Sequence, residues 1–596
     1  MLIFLTTAVG TNLPGFYYWS HPALAWVGLN SSNKSWDVSG NSAAVSGTNF
    51  IGTTNAQDVD FRTNNQIKMR LTQKGQLEVL NTGKSVFVGE QAGFNDDLTS
   101  NYNAFVGYQS GYSNTNGFSN AAVGYQSLRN NTSGSYNTAF GPGAMQGNTI
   151  GSHNAAVGQN ALFSNTGGTQ NTAVGSNALY ANTLAVGNTA VGAHAMESNI
   201  LGYGNTAVGG NSMLGNDNGF FNTAIGYTAM QSNVSGQGNT ATGTSSLYTN
   251  TTGSHNTATG VSSLLDNISG SNNTATGAYA LRDNKTGSNN TALGRSVLFF
   301  NQTGSNNTSV GLNSLSANIS GNYNTTMGVA TMLTNSIGNN NSAYGFSSLY
   351  FNTDGNNNTA TGTAAMLNNT VGNNNTAFGN SALSANITGS NNTAIGNQSN
   401  VASAILTNAT AIGNQATVNV SSKVRLGNAA VTIVEGQVAY FNPSDARFKN
   451  DVKTDVPGLD FILRLKPVTY RFDTRKFDEH LMQNLPDSLK NRNQDYTRSS
   501  AILHTGFLAQ DIEKAAQSIG YDFDGLHVPD ASNPTDNYSV AYSQFVVPMV
   551  KAIQEQQNEI DTVKKENAQL KSAVAKQTQM LETLEKRLSA LEKNKP

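Results

Sequence analysis

Residues 256–272 read Asn256-Thr257-Ala258-Thr259-Gly260-Val261-Ser262-Ser263-Leu264-Leu265-Asp266-Asn267-Ile268-Ser269-Gly270-Ser271-Asn272, and Asn273-Thr274-Ala275-Thr276-Gly277 starts the same pattern again. The fifth-position glycine recurs 17 residues apart from Gly107 through Gly124 and Gly141 to Gly396 and Gly413, and Gly89 extends the series with a step of 18. Position one is Asn in every repeat from Asn103 to Asn392. Position nine is Leu or Met from Leu128 to Leu383, and position twelve is Asn from Asn114 to Asn386. A disordered polar tract has no reason to hold an apolar residue in phase. The spacing predicts a solenoid.

Seventeen residues are too few for a helical hairpin repeat, which needs more than about 30, and suit one turn of a β-solenoid. Asn-Thr-Ala-Val supplies a short strand, Gly a bend or close backbone approach, Ala-Leu a second apolar contact, and Asn-x-x-Gly a turn tolerating left-handed φ. Stacked asparagines satisfy one another's amides, so a polar interior is feasible. At ~4.8 Å per layer, twenty layers make a mostly β shaft of about 95 Å. One such coil buries little, about 2–3 kcal/mol per large side chain against ~1–2 kcal/mol of backbone entropy per residue. The Leu/Met stripes are therefore expected to pack between several chains.

Charge maps the rest. Only 11% of the 596 residues are charged, against about 25% in an ordinary soluble domain. Residues 1–100 carry 13 charged side chains, residues 101–400 nine and residues 401–596 the other 46. A formal net charge of -2 supplies no field for nucleic acid. With no Cys there is no disulfide or thiolate site, and no apolar run reaches the ~18 residues of a membrane span. Met1–Ala8 is apolar but lacks a basic residue ahead of it and a small-residue cleavage site after it. It makes a poor signal peptide, which leaves another export route, a missing beginning, or a virion part made in the cytoplasm.

Residues 1–84 are expected to form a β-rich attachment region. Phe16-Tyr17-Tyr18-Trp19, Trp26 and Trp36 read as the core of a small β-domain or a sugar-stacking face, and Phe50–Thr54 and Phe61–Arg70 as hairpins. The shaft spans 85–430, a connector 431–443, a small α+β domain 444–548 and a helix 549–596. On that helix Ile553, Ile560, Val563, Asn567, Leu570, Val574, Gln577, Leu581, Leu584, Leu588 and Leu591 lie on a heptad seam, the pattern of a coiled coil. Leu481–Arg498 reads as an exposed excursion, and Gly506–Gln517 as a strand running into a helix.

Ser444 and Lys449 stand five apart. Alone, that spacing fits a Ser/Lys dyad or merely a polar turn leading into Val452. The seven histidines show no metal spacing, no cofactor motif appears, and the shaft carboxylates Glu197, Asp217, Asp266, Asp283 and Asp354 are scattered. Thr-x-Thr recurs in phase at Thr240/Thr242, Thr257/Thr259, Thr274/Thr276 and Thr359/Thr361, the makings of an ice- or sugar-binding array.

Two resemblances add to this reading. Asn256-Thr-Ala-Thr-Gly and Asn392-Thr-Ala-Ile-Gly resemble the head repeats of trimeric autotransporter adhesins, parallel β-rolls in which three chains twine. Ser444-Asp-Ala-Arg-Phe-Lys449, Leu465-Lys-Pro-Val-Thr-Tyr470, Gly506-Phe-Leu-Ala-Gln-Asp511, Tyr538-Ser-Val-Ala-Tyr542 and Val550-Lys-Ala-Ile-Gln554 resemble the self-cleaving intramolecular chaperone domain that ends phage tailspikes and tail fibres. The second resemblance implies Ser444 as nucleophile, Lys449 as its general base and Pro443–Ser444 as the scissile bond, a single-turnover serine endopeptidase at most. Together they imply a homotrimeric adhesin on a cell surface or virion tail fibre, wound from its chaperone end and meeting a cell-surface or glycan receptor. A tailspike-like polysaccharide-cleaving enzyme is the alternative.

Overall fold

A single repeat shows how the shaft is built. In 256–272, Thr257–Thr259 forms a strand that pairs parallel and in register with the next, Thr257 beside Thr274, Ala258 beside Ala275 and Thr259 beside Thr276. Strand alternation turns Ala258 inward, where it is fully buried, and both threonines outward. The corner residue is glycine for a steric reason. Gly277, its equivalent one coil on, has φ +129°, and a Cβ there would lie 2.5 Å from the carbonyl oxygen of Gly294.

Beyond the corner, Ser262 and Leu264 adopt φ +53° and +49°, a left-handed conformation costing about 1 kcal/mol or more per residue. This folds the second side of the coil back over the strand and buries Ser263 and Leu264 completely, a gain of about 2–3 kcal/mol for the leucine. Asn-x-x-Gly differs from expectation. Gly270 does not carry a left-handed φ; Asn272 does, at +59°. Glycine at 270 is required by close approach, since a Cβ would sit 2.5 Å from Asn267 Oδ1.

Two asparagine ladders complete the interior. Asn273 Nδ2 donates to Asn256 Oδ1 (3.1 Å) and to the Gly287 carbonyl (2.9 Å). Asn284 Nδ2 donates to Asn267 Oδ1 (2.8 Å) and to the same carbonyl (2.9 Å). Leu264, Leu281 and Met230 are fully buried within this one chain. The expectation that the Leu/Met stripes pack between chains is thus overturned: each coil closes around its own Leu or Met.

The computed structural model describes residues 2–5, 7, 15–20, 25–28, 51–490 and 493–594. They form two compact units, 1–169 and 170–596. In the first, β1 (Leu2–Leu5), β2 (Gly15–Ser20) and β3 (Ala25–Gly28) make one antiparallel sheet. The side chains of the aromatic cluster, and Trp36, lie outside the described residues. The hairpin over Phe61–Arg70 is present as β4 (Val59–Thr63) and β5 (Gln66–Leu71), joined by β6 (Leu77–Val79). Residues 51–54 form bends and no strand, and Phe50 lies outside the described residues. The coil strands of this unit are β7 (Val86–Val88) to β11 (Ala155–Val157).

In the second unit, coil strands run from β12 (Thr172–Val174) to β25 (Thr393–Ile395), then β26 (Asn400–Val401), β27 (Thr410–Ile412), β28 (Thr417–Val418) and β29 (Val424–Leu426). Residues 431–455 are exposed throughout. Next come α1 (Leu459–Arg464), β30 (Val468–Arg471), α2 (Thr474–Met482), α3 (Asp487–Lys490) and α4 (Thr497–Ser500). They are followed by β31 (Leu503–Gly506), α5 (Ala509–Gln517), β32 (Leu526–His527), β33 (Ser539–Val540) and the 47-residue α6 (Val546–Glu592). Phe461, Ile512, Ala515, Ala516, Phe523 and Phe545 form the small core, and Glu555 of α6 accepts the Leu459 N–H at 2.7 Å, holding the start of α1. Leu481, Met482 and Leu485, expected in an exposed excursion, are buried, and α2 itself packs on β28.

Candidate functional site

Ser444 and Lys449 come together through local geometry alone. The Asp445 carboxylate accepts the Arg447 backbone N–H at 2.9 Å and its guanidinium Nη2 at 2.6 Å. These bonds fold Ala446–Phe448 into one 3₁₀ turn and hold the Asp445 carboxyl below the usual carboxylate range, the Arg447 side chain contributing most. The turn brings Lys449 back on Ser444, with Nζ donating to Oγ at 2.8 Å.

Both side chains are exposed, as are Pro443 and every neighbour in 431–455. A lysine becomes a general base when burial strips its water and favours the neutral amine. Among the described residues no element covers this pair. The arrangement has the reach for proton transfer.

Other residues singled out in the sequence are placed as follows. Asp266 and Asp283 fall on adjacent coils, where burial, and then the Asp283 charge, push the Asp266 carboxyl up. Asp283 is tied to Arg282 at 2.7 Å. The structure does not bring Glu197 into that pair: it bonds His194 at 3.0 Å. Thr240/Thr242, Thr257/Thr259 and Thr274/Thr276 stack in register on consecutive outward strand faces, while Thr359/Thr361 stands apart between Ser342/Tyr344 and Thr376/Phe378. His153 stacks on Tyr136 (4.9 Å between centroids). Among the described residues, no group of three His, Asp or Glu is placed to hold a metal, and no helix is long and apolar enough to cross a membrane.

A second constellation went unread in the sequence. Asn419, His480, His527, Asn533, Thr535, Asp536 and Asn537 are linked by hydrogen bonds. The only signal was the density of Asn, Asp, Ser and Pro in 529–537, which marks a turn without naming what it touches.

The α6 seam is bare in the single chain: Ile553 is 66%, Leu570 63% and Leu591 69% exposed. A helix of 47 residues, about 70 Å long, carries this stripe uncovered by the other described residues.

No curated protein matches the chain. Residues 444–521, which start at the Ser444–Lys449 turn and run through α1, β30–β31 and α5, match the family model described as the chaperone of endosialidase, and in this chain the matched segment follows a long parallel β-solenoid.

Proposed function

We propose that the chain is a homotrimeric tail-fibre-like adhesin whose solenoid is assembled by residues 444–596, the covalent link between them being broken by a single cut at Pro443–Ser444. The observation that carries this reading is the match of 444–521 to the chaperone family, whose first residue is the hydroxyl that Lys449 meets at 2.8 Å. The bare α6 seam supports self-association, because an exposed run of heptad leucines is stable only when sister helices cover it. Three tails meeting first align three shafts, which then wind from their ends near residue 430. This removes the slow step of nucleating a non-local β-stack in each chain separately. The fibre sits outside the cell, on a cell surface or virion tail, and its repeated outer face meets a cell-surface or glycan receptor, trimerisation multiplying weak contacts.

In the cut, Ser444 Oγ attacks the Pro443 carbonyl carbon while Lys449 takes the hydroxyl proton. The Pro443–Ser444 C–N bond breaks as the Ser444 nitrogen accepts a proton, leaving Pro443 as an ester on Oγ. Water then hydrolyses the ester to a Pro443 carboxylate and a free Ser444 hydroxyl. The geometry that supports this step is the 2.8 Å contact between Lys449 Nζ and Ser444 Oγ.

Intact mass under native and denaturing conditions tests both parts. The expected result is a trimer, and a fragment of residues 1–443 that Ser444→Ala abolishes. A monomeric native mass overturns the assembly, and an uncut trimer overturns the cleavage. Deleting 444–596 is expected to give aggregated shaft; a soluble trimer from that deletion removes the chaperone role.

A further inference from the structure

The last coil of a solenoid has no next coil to pair with, so its backbone edge and interior are open unless capped. Here the β28 side of the last coil is closed. Ala416, Thr417, Val418 and Asn419 are buried to within 1%, although the chain just beyond, 431–455, is exposed. The cover comes from farther along. Helix α2 packs on β28, with Leu481, Met482 and Leu485 buried, and the Arg425 guanidinium of β29 lies 5.4 Å from the Phe477 ring centroid on α2.

Beside α2 the 530–537 loop reads Asn419 from all sides. Asn419 Nδ2 donates to the Thr535 carbonyl (2.6 Å) and to Asn537 Oδ1 (3.0 Å). Asn533 Nδ2 donates to the Asn419 carbonyl (2.8 Å), and Lys423 Nζ to Asn419 Oδ1 (2.9 Å). The loop is shaped by its own bonds. Asp536 accepts the N–H groups of Asp530 (2.9 Å) and Asn537 (2.8 Å) and lies 3.0 Å from His527 Nε2. Asn533 Oδ1 accepts the Thr535 N–H at 3.1 Å. A loop held this way presents its donors and acceptors without further ordering cost.

We infer that α2 and the 530–537 loop are an end cap, a docking surface by which the C-terminal domain grips the open end of the shaft non-covalently and stays on it when the connector is cut. Its partner is the terminal coil of this same chain, recognised through Asn419. The grip involves neither Ser444 nor Lys449, so it does not depend on the cleavage reading.

The test uses the full chain with Ser444→Ala, so that self-cleavage plays no part, and a site-specific protease sequence inserted between Gly436 and Gln437 in the exposed connector. After cutting, two bands are expected on a denaturing gel but one species by native mass and size exclusion. Asn533→Asp keeps the acceptor that Thr535 uses and removes the donor to Asn419. It lies outside the shaft and the small core, and is expected to speed separation of the two fragments by about threefold to tenfold. Fragments that part at once at neutral pH without this substitution overturn the cap, and so does an Asn533→Asp protein whose fragments separate no faster.

Discussion

Asn273→Ala tests whether the asparagine ladder is what binds the shaft interior. Asn273 is fully buried. Its Nδ2 donates to Asn256 Oδ1 and the Gly287 carbonyl, and its Oδ1 accepts the backbone N–H of Asn290 (3.0 Å) and Asn290 Nδ2 (3.1 Å). Alanine removes all four bonds, but their consequences differ. The Gly287 carbonyl keeps Asn284 Nδ2, and Asn256 Oδ1 keeps the Asn273 backbone N–H at 3.0 Å. Asn290 loses the acceptor of its buried N–H, while its Nδ2 keeps only the Gly304 carbonyl at 2.8 Å.

A buried polar group left without a partner costs about 1–3 kcal/mol; the Asn290 N–H is one such group, and the bond lost at Asn290 Nδ2 adds about 0.5–1.5 kcal/mol, so the predicted loss is about 1.5–4.5 kcal/mol. Thr274→Ala, one residue away on the outer face, is expected to stay within about 0.5 kcal/mol. The assay is urea unfolding of the full chain, or the unfolding rate at fixed temperature if unfolding is irreversible. Because a solenoid is a nearest-neighbour stack, Asn273→Ala is also expected to split the transition, with coils on either side of the break melting apart. An Asn273→Ala protein within about 0.5 kcal/mol of the unsubstituted chain refutes the reasoning.

Gly277→Ala is expected to be worse than Asn273→Ala, because its Cβ meets the Gly294 oxygen at 2.5 Å in a backbone conformation of φ +129°; insoluble or misfolded shaft, followed by circular dichroism of any soluble fraction, checks this. Leu281→Ala is expected to cost about 2–5 kcal/mol through a cavity with native mass unchanged, whereas Leu581→Asp on the exposed seam is expected to lower the native mass with little effect on the coils. Acid is expected to loosen the end cap. Burial pushes the Asp536 carboxyl up, but the His527 bond and the N–H groups of Asp530 and Asn537 outweigh it and hold it below the usual range. A carboxyl depressed in the folded state contributes stability above its unfolded value, lost as pH falls through the lowered one. Fragment retention should therefore fall below about pH 4, and Asp536→Asn should weaken retention at neutral pH.

The repeat, its 17-residue period, the strand at Asn-Thr-Ala, the need for glycine at its end and the two asparagine columns were all legible in the chain, because stacking makes equivalent positions meet and selects for self-complementary residues. So was the Ser444–Lys449 turn, whose parts lie within six residues and are joined by Asp445 and Arg447. Period alone does not say which side of the coil wall a residue faces. Leu264 was legible as a stripe, yet its destination inside its own coil depended on left-handed φ values at Ser262 and Leu264, which their side chains do not announce. The end cap lay further out of reach. Asn419 and Thr535 are 116 residues apart, and their contact exists only because the domain after the connector folds back onto the last coil, a pairing no local pattern encodes.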